Sequence, residues 1–134
     1  KIRMETHVSN NVKYFRGDRE KLKQLLMNLV GNSINYSDEG CIIDVGVNRK
    51  SDAIQITVSD TGWGIPDADI PYLTKKFFRG KHSITTKGTG LGLSICKEIA
   101  QLHRGTLDIR NMSGKGTTAT VTLPLNRPTV EKSR

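Results

Sequence analysis

Cysteine is scarce in this chain of 134 residues, which has only Cys41 and Cys96. They lie far apart, each within an apolar segment, and neither belongs to a C-x-x-C motif. This spacing argues against a disulfide framework and against a thiolate metal site. We therefore expect two buried, reduced thiols in a cytoplasmic protein.

Long apolar runs are also missing. No stretch approaches the roughly 20 residues needed to span a bilayer, and no apolar segment near residue 1 is typical of a signal peptide. With 35% hydrophobic residues, the composition predicts one soluble domain with its own core. We place this domain at residues 1–125, followed by a polar tail at 126–134.

Acidic residues are absent between Asp69 and Glu98, although the formal net charge is +8. Five cations of that interval come before or at the start of a glycine-rich stretch: Lys75, Lys76, Arg79, Lys81 and Lys87. This distribution favours a ligand with several negative charges, and a plain solvated basic surface is the alternative. Because no aromatic residues alternate with the cations, we expect no nucleic-acid partner.

The last of these cations precedes a glycine-rich stretch, Lys87 to Ile95, in which Gly88, Gly90 and Gly92 occupy alternate positions. A helical pattern follows at once, so the glycines precede a helix N-terminus. Bare backbone N–H groups in that setting bind anions, usually phosphate. The spacing matches neither a Walker loop nor G-x-G-x-x-G, and a merely flexible loop is the alternative.

An unusual helix is predicted from Asp18, as N-cap, to about Tyr36. Its apolar positions form one face: Leu22, Leu25, Leu26, Leu29 and Val30. A separate stripe consists of amides and glycine, where a solvent-facing stripe normally carries charge: Gln24, Asn28, Gly31, Asn32 and Asn35. Asn28 and Asn32, one turn apart, can direct two carbonyl oxygens at one Mg²⁺. A stripe hydrogen-bonded to a neighbouring loop is the alternative.

A carboxylate next to glycines forms the third candidate, in Asp60-Thr61-Gly62-Trp63-Gly64-Ile65-Pro66. Asp60 ends a predicted strand, and the glycines let backbone and ligand approach closely. A carboxylate there can accept a hydrogen bond from an exocyclic amine such as that of adenine. An ordinary Asx turn is the alternative.

The remaining patterns predict an α+β fold, a two-layer sandwich with helices on one face of a sheet. Strands are expected at Lys1–His7, Val12–Phe15, Cys41–Val47, Ala53–Ser59, Thr106–Arg110 and Thr117–Leu123. A short helix is expected at Asp67–Leu73, and the helix after the glycines should stop at Gly105. Because Lys1 begins inside a predicted strand, we expect the chain to be an excised piece.

In order, these motifs resemble the ATP-binding catalytic domain of sensor histidine kinases, within the superfamily of gyrase, heat-shock chaperone and mismatch-repair ATPases. Asp18 to Ser37 resembles the N box of the family, and Asp60 to Ile65 its G1 box. Phe77-Phe78-Arg79 resembles the end of the F box, and Gly88 to Ile95 the G2 box. The resemblance implies a Bergerat-type fold, with a mixed, mostly antiparallel sheet covered on one face by about three helices.

The resemblance also implies roles for single residues. Asn28 and Asn32 would hold Mg²⁺ and, with Arg79 and Lys87, serve catalysis, while Asp60 would receive the adenine amine. An ATP lid would span about 74–88. Other nucleotide contacts would come from Asn35, Tyr36, Gly62, Gly64, Ile65, Lys81, Gly88, Thr89, Gly90, Leu91, Gly92 and Leu93. Two positions depart from the family, since Asn35 replaces a usual Lys and Thr74 a usual Phe.

The activity implied is that of a protein-histidine kinase that uses ATP and Mg²⁺ in a two-component system. None of the histidines, His7, His82 and His103, lies in a His-Glu/Asp context on a helix. We therefore expect the phosphoacceptor on a dimerising helical domain upstream, with a response regulator downstream. The isolated domain should be monomeric and its parent homodimeric. Membrane anchoring of the parent is left open, with this domain on the cytoplasmic side.

Three alternatives stay open. A serine kinase of the anti-sigma type would share the nucleotide site, and a degenerate nucleotide-binding interaction module would account for Asn35 and Thr74. An ATP-hydrolysing member of the superfamily is the third. Such enzymes carry a Glu as general base where this chain has Asn28, and an amide cannot take that role.

Overall fold

The computed structural model describes residues 3–12, 15–35, 40–65, 67–72, 74–75, 92–111 and 116–125, without the side chain of Asn35. Within these ranges the strands are β1 (Arg3–Val8), β2 (Ile42–Lys50), β3 (Ala53–Asp60), β4 (Thr106–Asn111) and β5 (Thr117–Pro124). The helices are α1 (Arg19–Asn35), a short 3₁₀ helix (Asp67–Tyr72) and α2 (Gly92–Leu102).

The five strands form one sheet in the order β1-β2-β3-β5-β4. β1 pairs with β2 in parallel, and the other three pairings are antiparallel. The α+β prediction of a mixed, mostly antiparallel sheet is therefore confirmed. Two α-helices and the 3₁₀ helix among the described residues correspond to the three helices expected.

The alternation of buried and half-buried residues along β3 shows which face of the sheet the helices cover. Every second residue from Ile54 through Ile56 and Val58 to Asp60 is buried, and the residues between them are only half-buried. The buried set faces the helices, since successive strand residues point to opposite faces. Asp60 continues the phase of the apolar positions, so its carboxylate lies on the helix-covered side.

The core lies between this face and the two helices. α1 contributes Leu25 and Leu29, which are one turn apart, and α2 contributes Cys96, Ile99 and Ala100. Burial raises the pKa of the Cys96 thiol to about 12, so the thiol stays protonated and packs as a small apolar group. Cys41 is only half-buried, which differs from the expectation that both cysteines are buried.

α1 begins at the predicted cap. The Lys21 backbone N–H donates to Asp18 Oδ1 at 3.1 Å, and the Leu22 N–H donates to the Asp18 carbonyl at 2.9 Å. These bonds satisfy donors that the first helical turn leaves without partners. The N-cap prediction for Asp18 is confirmed.

α2 ends in a Schellman motif, and the left-handed residue is Arg104 with φ 63°, one position before the predicted stop. The N–H of Arg104 donates to the Gln101 carbonyl at 2.9 Å, and that of Gly105 donates to the Ala100 carbonyl at 2.7 Å. Gly105 is needed for another reason, because a Cβ there would lie 2.1 Å from the Thr122 carbonyl oxygen.

The two helices run antiparallel. The backbone N–H of Asp18 donates to His103 Nε2 at 3.0 Å, and seven residues further along α1 the Cys96 thiol donates to the Leu25 carbonyl at 3.7 Å. Residue numbers therefore increase along α1 in the direction in which they decrease along α2. The first residue of α2, Gly92, accordingly lies beside the half of α1 that carries the amides. This arrangement brings two predicted site elements together.

One predicted strand is wrong. Val12 and Phe15 belong to no strand, and the Val12 N–H donates to the Ser9 carbonyl at 3.1 Å in a turn. Of the predicted lid only Thr74 and Lys75 are described, and the tail at 126–134 lies outside the described ranges. A search of the described helices for one long and apolar enough to cross a bilayer finds none.

Candidate functional site

Asp60 ends β3 with 3% of its surface exposed. The Gly62 N–H donates to Asp60 Oδ1 at 2.9 Å. The Ser33 hydroxyl and the Thr117 backbone N–H also donate to the carboxylate. Burial raises the pKa of Asp60, and these three hydrogen bonds only partly oppose that rise. A carboxylate offers about four acceptor positions, so these bonds from the described residues leave one for a ligand.

Backbone segments meet closely around this carboxylate through two glycines. Gly116 has φ +94°, and a Cβ there would lie 2.2 Å from the Asp60 carbonyl oxygen. Gly64 has φ +82°, and its Cβ would come within 3.5 Å of the Gly116 nitrogen. Both conformations favour glycine. The turn after β3 can therefore close tightly on the start of β5.

Thr117 adds a second polar group beside Asp60. The two residues are register partners in the β3–β5 ladder, so their side chains share the helix-covered face. Thr117 is 6% exposed, and its Oγ1 is buried with no hydrogen-bond partner among the described residues. A buried hydroxyl left without a partner is unfavourable. Carboxylate and hydroxyl together offer a ligand one acceptor and one donor.

Asn111, at the end of β4, fixes the loop that contains the glycines. Its Oδ1 accepts from the Ile65 N–H at 2.9 Å, while its Nδ2 donates to the Ile65 carbonyl at 2.6 Å and to Asp67 Oδ1 at 2.8 Å. The Asn111 amide thus bonds both the N–H and the carbonyl of Ile65, as the backbone of a neighbouring β-strand would. Ile65 itself is 5% exposed and part of the core.

The amide stripe of α1 approaches the same region. Asn28 and Asn32 are half-buried, and Ser33, next to Asn32, is the residue whose hydroxyl reaches Asp60. A Cβ added to Gly31 would meet no described atom within 4 Å. The second half of α1 therefore borders the carboxylate through Ser33 and is not covered at Gly31 by any described residue.

Of the predicted site residues, Gly62 contacts Asp60, and Gly64 and Ile65 lie in the turn that follows it. Asn28 and Asn32 lie on the half of α1 whose Ser33 contacts Asp60, and Gly92 begins α2. The Leu93 side chain packs in the core with 8% exposure. Other predicted residues lie outside the described ranges: Tyr36, Arg79, Lys81, Lys87, Gly88, Thr89, Gly90, Leu91 and the side chain of Asn35.

Three residues of this region, Ser33, Asn111 and Thr117, had been given no role from the sequence. Thr117 follows a glycine in Gly114-Lys115-Gly116-Thr117, which is a signal for close backbone approach that could have pointed to it. Ser33 and Asn111 carry no comparable signal, because each acts on a residue distant in the chain.

His103 has a structural role. It is 5% exposed, its Nδ1–H donates to the Ile99 carbonyl at 2.9 Å and its Nε2 accepts from the Asp18 N–H at 3.0 Å. Both ring nitrogens are therefore engaged in the neutral tautomer. His7 lies on β1, and His82 lies outside the described ranges.

Comparison with known proteins identifies the family. Residues 17–127 match the family described as histidine kinase-, DNA gyrase B-, and HSP90-like ATPase. The sensor histidine kinase WalK of Bacillus subtilis is 40% identical over 115 residues, which cover 83% of this chain and 19% of WalK.

Solved structures agree with the sequence match. The mycobacterial sensor histidine kinase MprB superposes with a TM-score of 0.82 at 26% identity, over 92% of this chain and 83% of that one. The histidine kinase ThkA in complex with the response regulator protein TrrA gives 0.76 at 25% identity, over 99% of this chain and 36% of that one.

The chain spans only 24%, 19% and 17% of the length of three curated relatives that it matches. The match therefore concerns one domain of larger proteins. The chain belongs to the family of histidine kinase-, DNA gyrase B- and HSP90-like ATPases, and within it to the ATP-binding catalytic domains of sensor histidine kinases.

Proposed function

We propose that this domain binds ATP with Mg²⁺ and transfers the γ-phosphoryl group to a histidine on a dimerising helical domain outside these 134 residues. The parent would be a two-component sensor kinase. The observation that carries the proposal is the buried pair of Asp60 and Thr117, one with a free acceptor position and the other with an unpartnered hydroxyl.

Adenine fits this pair chemically. Its exocyclic amine donates, and the neighbouring ring nitrogen accepts, so the base can satisfy Asp60 and Thr117 at once. Gly62 and Gly64 allow the base to come close to the backbone, and the Asn111 clamp holds their loop in place. The hydrogen bonds to water that Asp60 and Thr117 lose on burial would thus be replaced when the base binds.

Mg²⁺ is supported by the donor set on α1. Asn28 and Asn32 offer two amide oxygens from one helix face, and a hard cation that retains waters and phosphate oxygens needs few protein ligands. When bound, the ion neutralises charge on the transferring phosphoryl group. The residues of this chain orient it, and the N-terminus of α2 at Gly92 favours the phosphate charge.

The remaining contacts belong to the same proposal. Asn35 and Tyr36 would continue the α1 side of the site, and Gly88, Thr89, Gly90, Leu91 and Leu93 would offer backbone N–H groups to phosphate. Arg79, Lys81 and Lys87 would supply positive charge from a lid at about 74–88. The domain would occupy 1–125, with a tail at 126–134.

A separate acceptor is supported by the histidines themselves. Both ring nitrogens of the buried His103 are already bonded, and His7 lies on the sheet face opposite Asp60. The complex of ThkA with a response regulator supports a response regulator as the downstream partner. We further propose a homodimeric parent, monomeric behaviour of the isolated domain and a cytoplasmic location.

The decisive experiment mixes this domain with ATP, Mg²⁺ and the helical domain of its parent. Acid-labile phosphate on that helical domain is expected. Acid-stable phosphoserine would indicate the serine kinase, and tight ATP binding without transfer would indicate a binding module. In parallel, Asn32→Ala should make ATP affinity independent of Mg²⁺, whereas Gln24→Ala on the same helix should leave the Mg²⁺ effect intact.

A further inference from the structure

We propose a second cation site on the open face of the sheet, formed by Glu5, His7 and Asp44, for a divalent first-row transition metal such as Zn²⁺. One ligand atom from each residue lies within 4.8 Å of the others. The site uses none of the residues assigned to the nucleotide, so it can be tested independently of the proposed kinase activity.

The β1–β2 ladder brings the three side chains together. In this parallel pairing Glu5 is the register partner of Asp44, and His7 that of Gly46. Ile43 and Val45 on either side of Asp44 are buried, so Asp44 points to the face that the helices leave open. Because Gly46 has no side chain, the imidazole of His7 has room to lean towards Asp44.

The contact between His7 and Asp44 is short, but it is not a good hydrogen bond. His7 Nε2 lies 2.9 Å from Asp44 Oδ1, yet this oxygen is shielded from solvent and has no aligned donor among the described residues. The ring nitrogen and the carboxylate oxygen are therefore close neighbours that could both bind one cation. That is the relation between two ligands of one metal ion.

Distances suit a small ion. His7 Nε2 is 2.9 Å from Asp44 Oδ1 and 4.0 Å from Glu5 Oε1. Ligand atoms in a tetrahedral zinc site are about 3.3 Å apart, since Zn–N and Zn–O bonds measure about 2.0–2.2 Å. The two observed separations lie on either side of that value, and the exposed side chains of Glu5 and His7 are free to adjust.

The charges and donor types select the metal class. Two carboxylates would neutralise the charge of a divalent ion. The Arg3 guanidinium lies 3.5 Å from Glu5 Oε2, so the other oxygen, Oε1, is the one available to the metal. An imidazole nitrogen suits zinc, nickel or copper, whereas Mg²⁺ and Ca²⁺ prefer oxygen ligands. Water would complete the coordination.

The test titrates ZnCl₂ into the tag-free, nucleotide-free chain by calorimetry, with excess Mg²⁺ present to occupy oxygen sites. One Zn²⁺ per chain is expected. His7→Ala and Asp44→Asn should each weaken binding at least about tenfold, since even changes to residues that only support a metal ligand have that effect.

Two control variants address other ligands. Asp108→Asn removes an exposed carboxylate on β4, at the other edge of the sheet, and should bind Zn²⁺ as the wild type does. Cys41→Ser should also bind normally, which would exclude the half-buried thiol as the ligand. His7→Gln serves as a second variant of His7, besides His7→Ala, because it removes the imidazole but keeps a polar side chain on β1.

Stability provides an independent readout. Because the ion would tie β1 to β2, Zn²⁺ at about 100 times its Kd should raise the folded-to-unfolded ratio about 100-fold in the wild type. The increase should be lost in His7→Ala and kept in Asp108→Asn. Absence of stoichiometric binding, or equal binding and stabilisation in His7→Ala, would overturn the proposal.

Discussion

Asp60 and Asp44 lie on neighbouring strands but on opposite faces of the sheet. The register partner of Asp60 is Ile43, the residue before Asp44, so a shift of one residue separates the two environments. Asp60 is 3% exposed, whereas the side chain of Asp44 is 49% exposed. The same side chain is thus a desolvated acceptor on one face and a proposed metal ligand on the other, so the face it lies on decides its chemistry.

The largest effect is expected for one of two glycines, Gly116 before β5 and Gly46 on the open face of the sheet. Gly116→Ala should destabilise the domain by about 3 kcal/mol or more, because its φ of +94° and its 2.2 Å approach to the Asp60 carbonyl both exclude a Cβ.

Gly46→Ala on the open face is the matched control. Its added Cβ would meet only Thr57 Oγ1, at 3.0 Å, and because that side chain can turn away, the domain should lose under about 1 kcal/mol of stability. Urea unfolding measures both. Similar losses would contradict the contrast between the tight turn at Gly116 and the open face at Gly46.

The aspartates themselves come next. Asp60→Asn should weaken ATP binding at least about 100-fold, about 2.7 kcal/mol, since an amide can present a donor where the adenine amine needs an acceptor. Asp44→Asn should leave ATP affinity unchanged. Calorimetric titration measures both, with circular dichroism to verify folding. Unchanged affinity in Asp60→Asn would remove the adenine assignment.

The raised pKa of Asp60 predicts a pH dependence of smaller size. The folded protein binds this proton more tightly than the unfolded chain, so the contribution of Asp60 to stability is fully present below the unfolded value of 3.8. It is lost as the pH rises through the folded-state pKa, by about 1.4 kcal/mol for each unit of elevation.

This dependence can be isolated by comparing variants across pH. The free energy of unfolding of the wild type minus that of Asp60→Asn should decrease as the pH rises from the acid side towards neutrality. The same difference taken with Asp44→Asn tests whether the effect is specific to the covered face. A difference that increases with pH would mean that the hydrogen bonds from Ser33, Gly62 and Thr117 outweigh burial.

The smallest expected effect concerns two adjacent threonines. Thr117→Val removes a buried hydroxyl without a described partner and should stabilise the nucleotide-free domain by about 1 kcal/mol. It should also weaken ATP binding, because the donor to the base is lost. Thr118→Val, on the open face, breaks the hydrogen bond of 3.0 Å with Ser59 and should destabilise instead. Thermal unfolding distinguishes the two signs, and the same sign in both would contradict the comparison.

Local signals allowed much of the fold to be predicted from the sequence. The Asp18 cap, the alternation that ends at Asp60 and the apolar face of α1 depend on residues a few positions apart, and each was found where expected. Val12–Phe15 was wrong as a strand although its composition is β-rich. There the chain turns after β1 instead of pairing, as the bond from Val12 to Ser9 shows.

The candidate site was only partly predictable, for a physical reason. Asp60 and its glycines form one continuous motif, but Thr117 and Asn111 reach it only because β5 lies between β3 and β4 in the sheet. Strand order is a global property that no local pattern specifies. The left-handed conformation of Arg104 is similar, since φ above zero in a residue other than glycine has no dependable sequence signal.

The hydrogen bond from Asp18 to His103 has a mechanical consequence. It fastens the first turn of α1 to the last turn of α2, at the ends of the two helices farthest from Gly92 and the second half of α1. One imidazole accepts from the cap residue of α1 and donates to the last turn of α2. Loss of this ring would therefore remove a hydrogen bond from the ends of both helices at once.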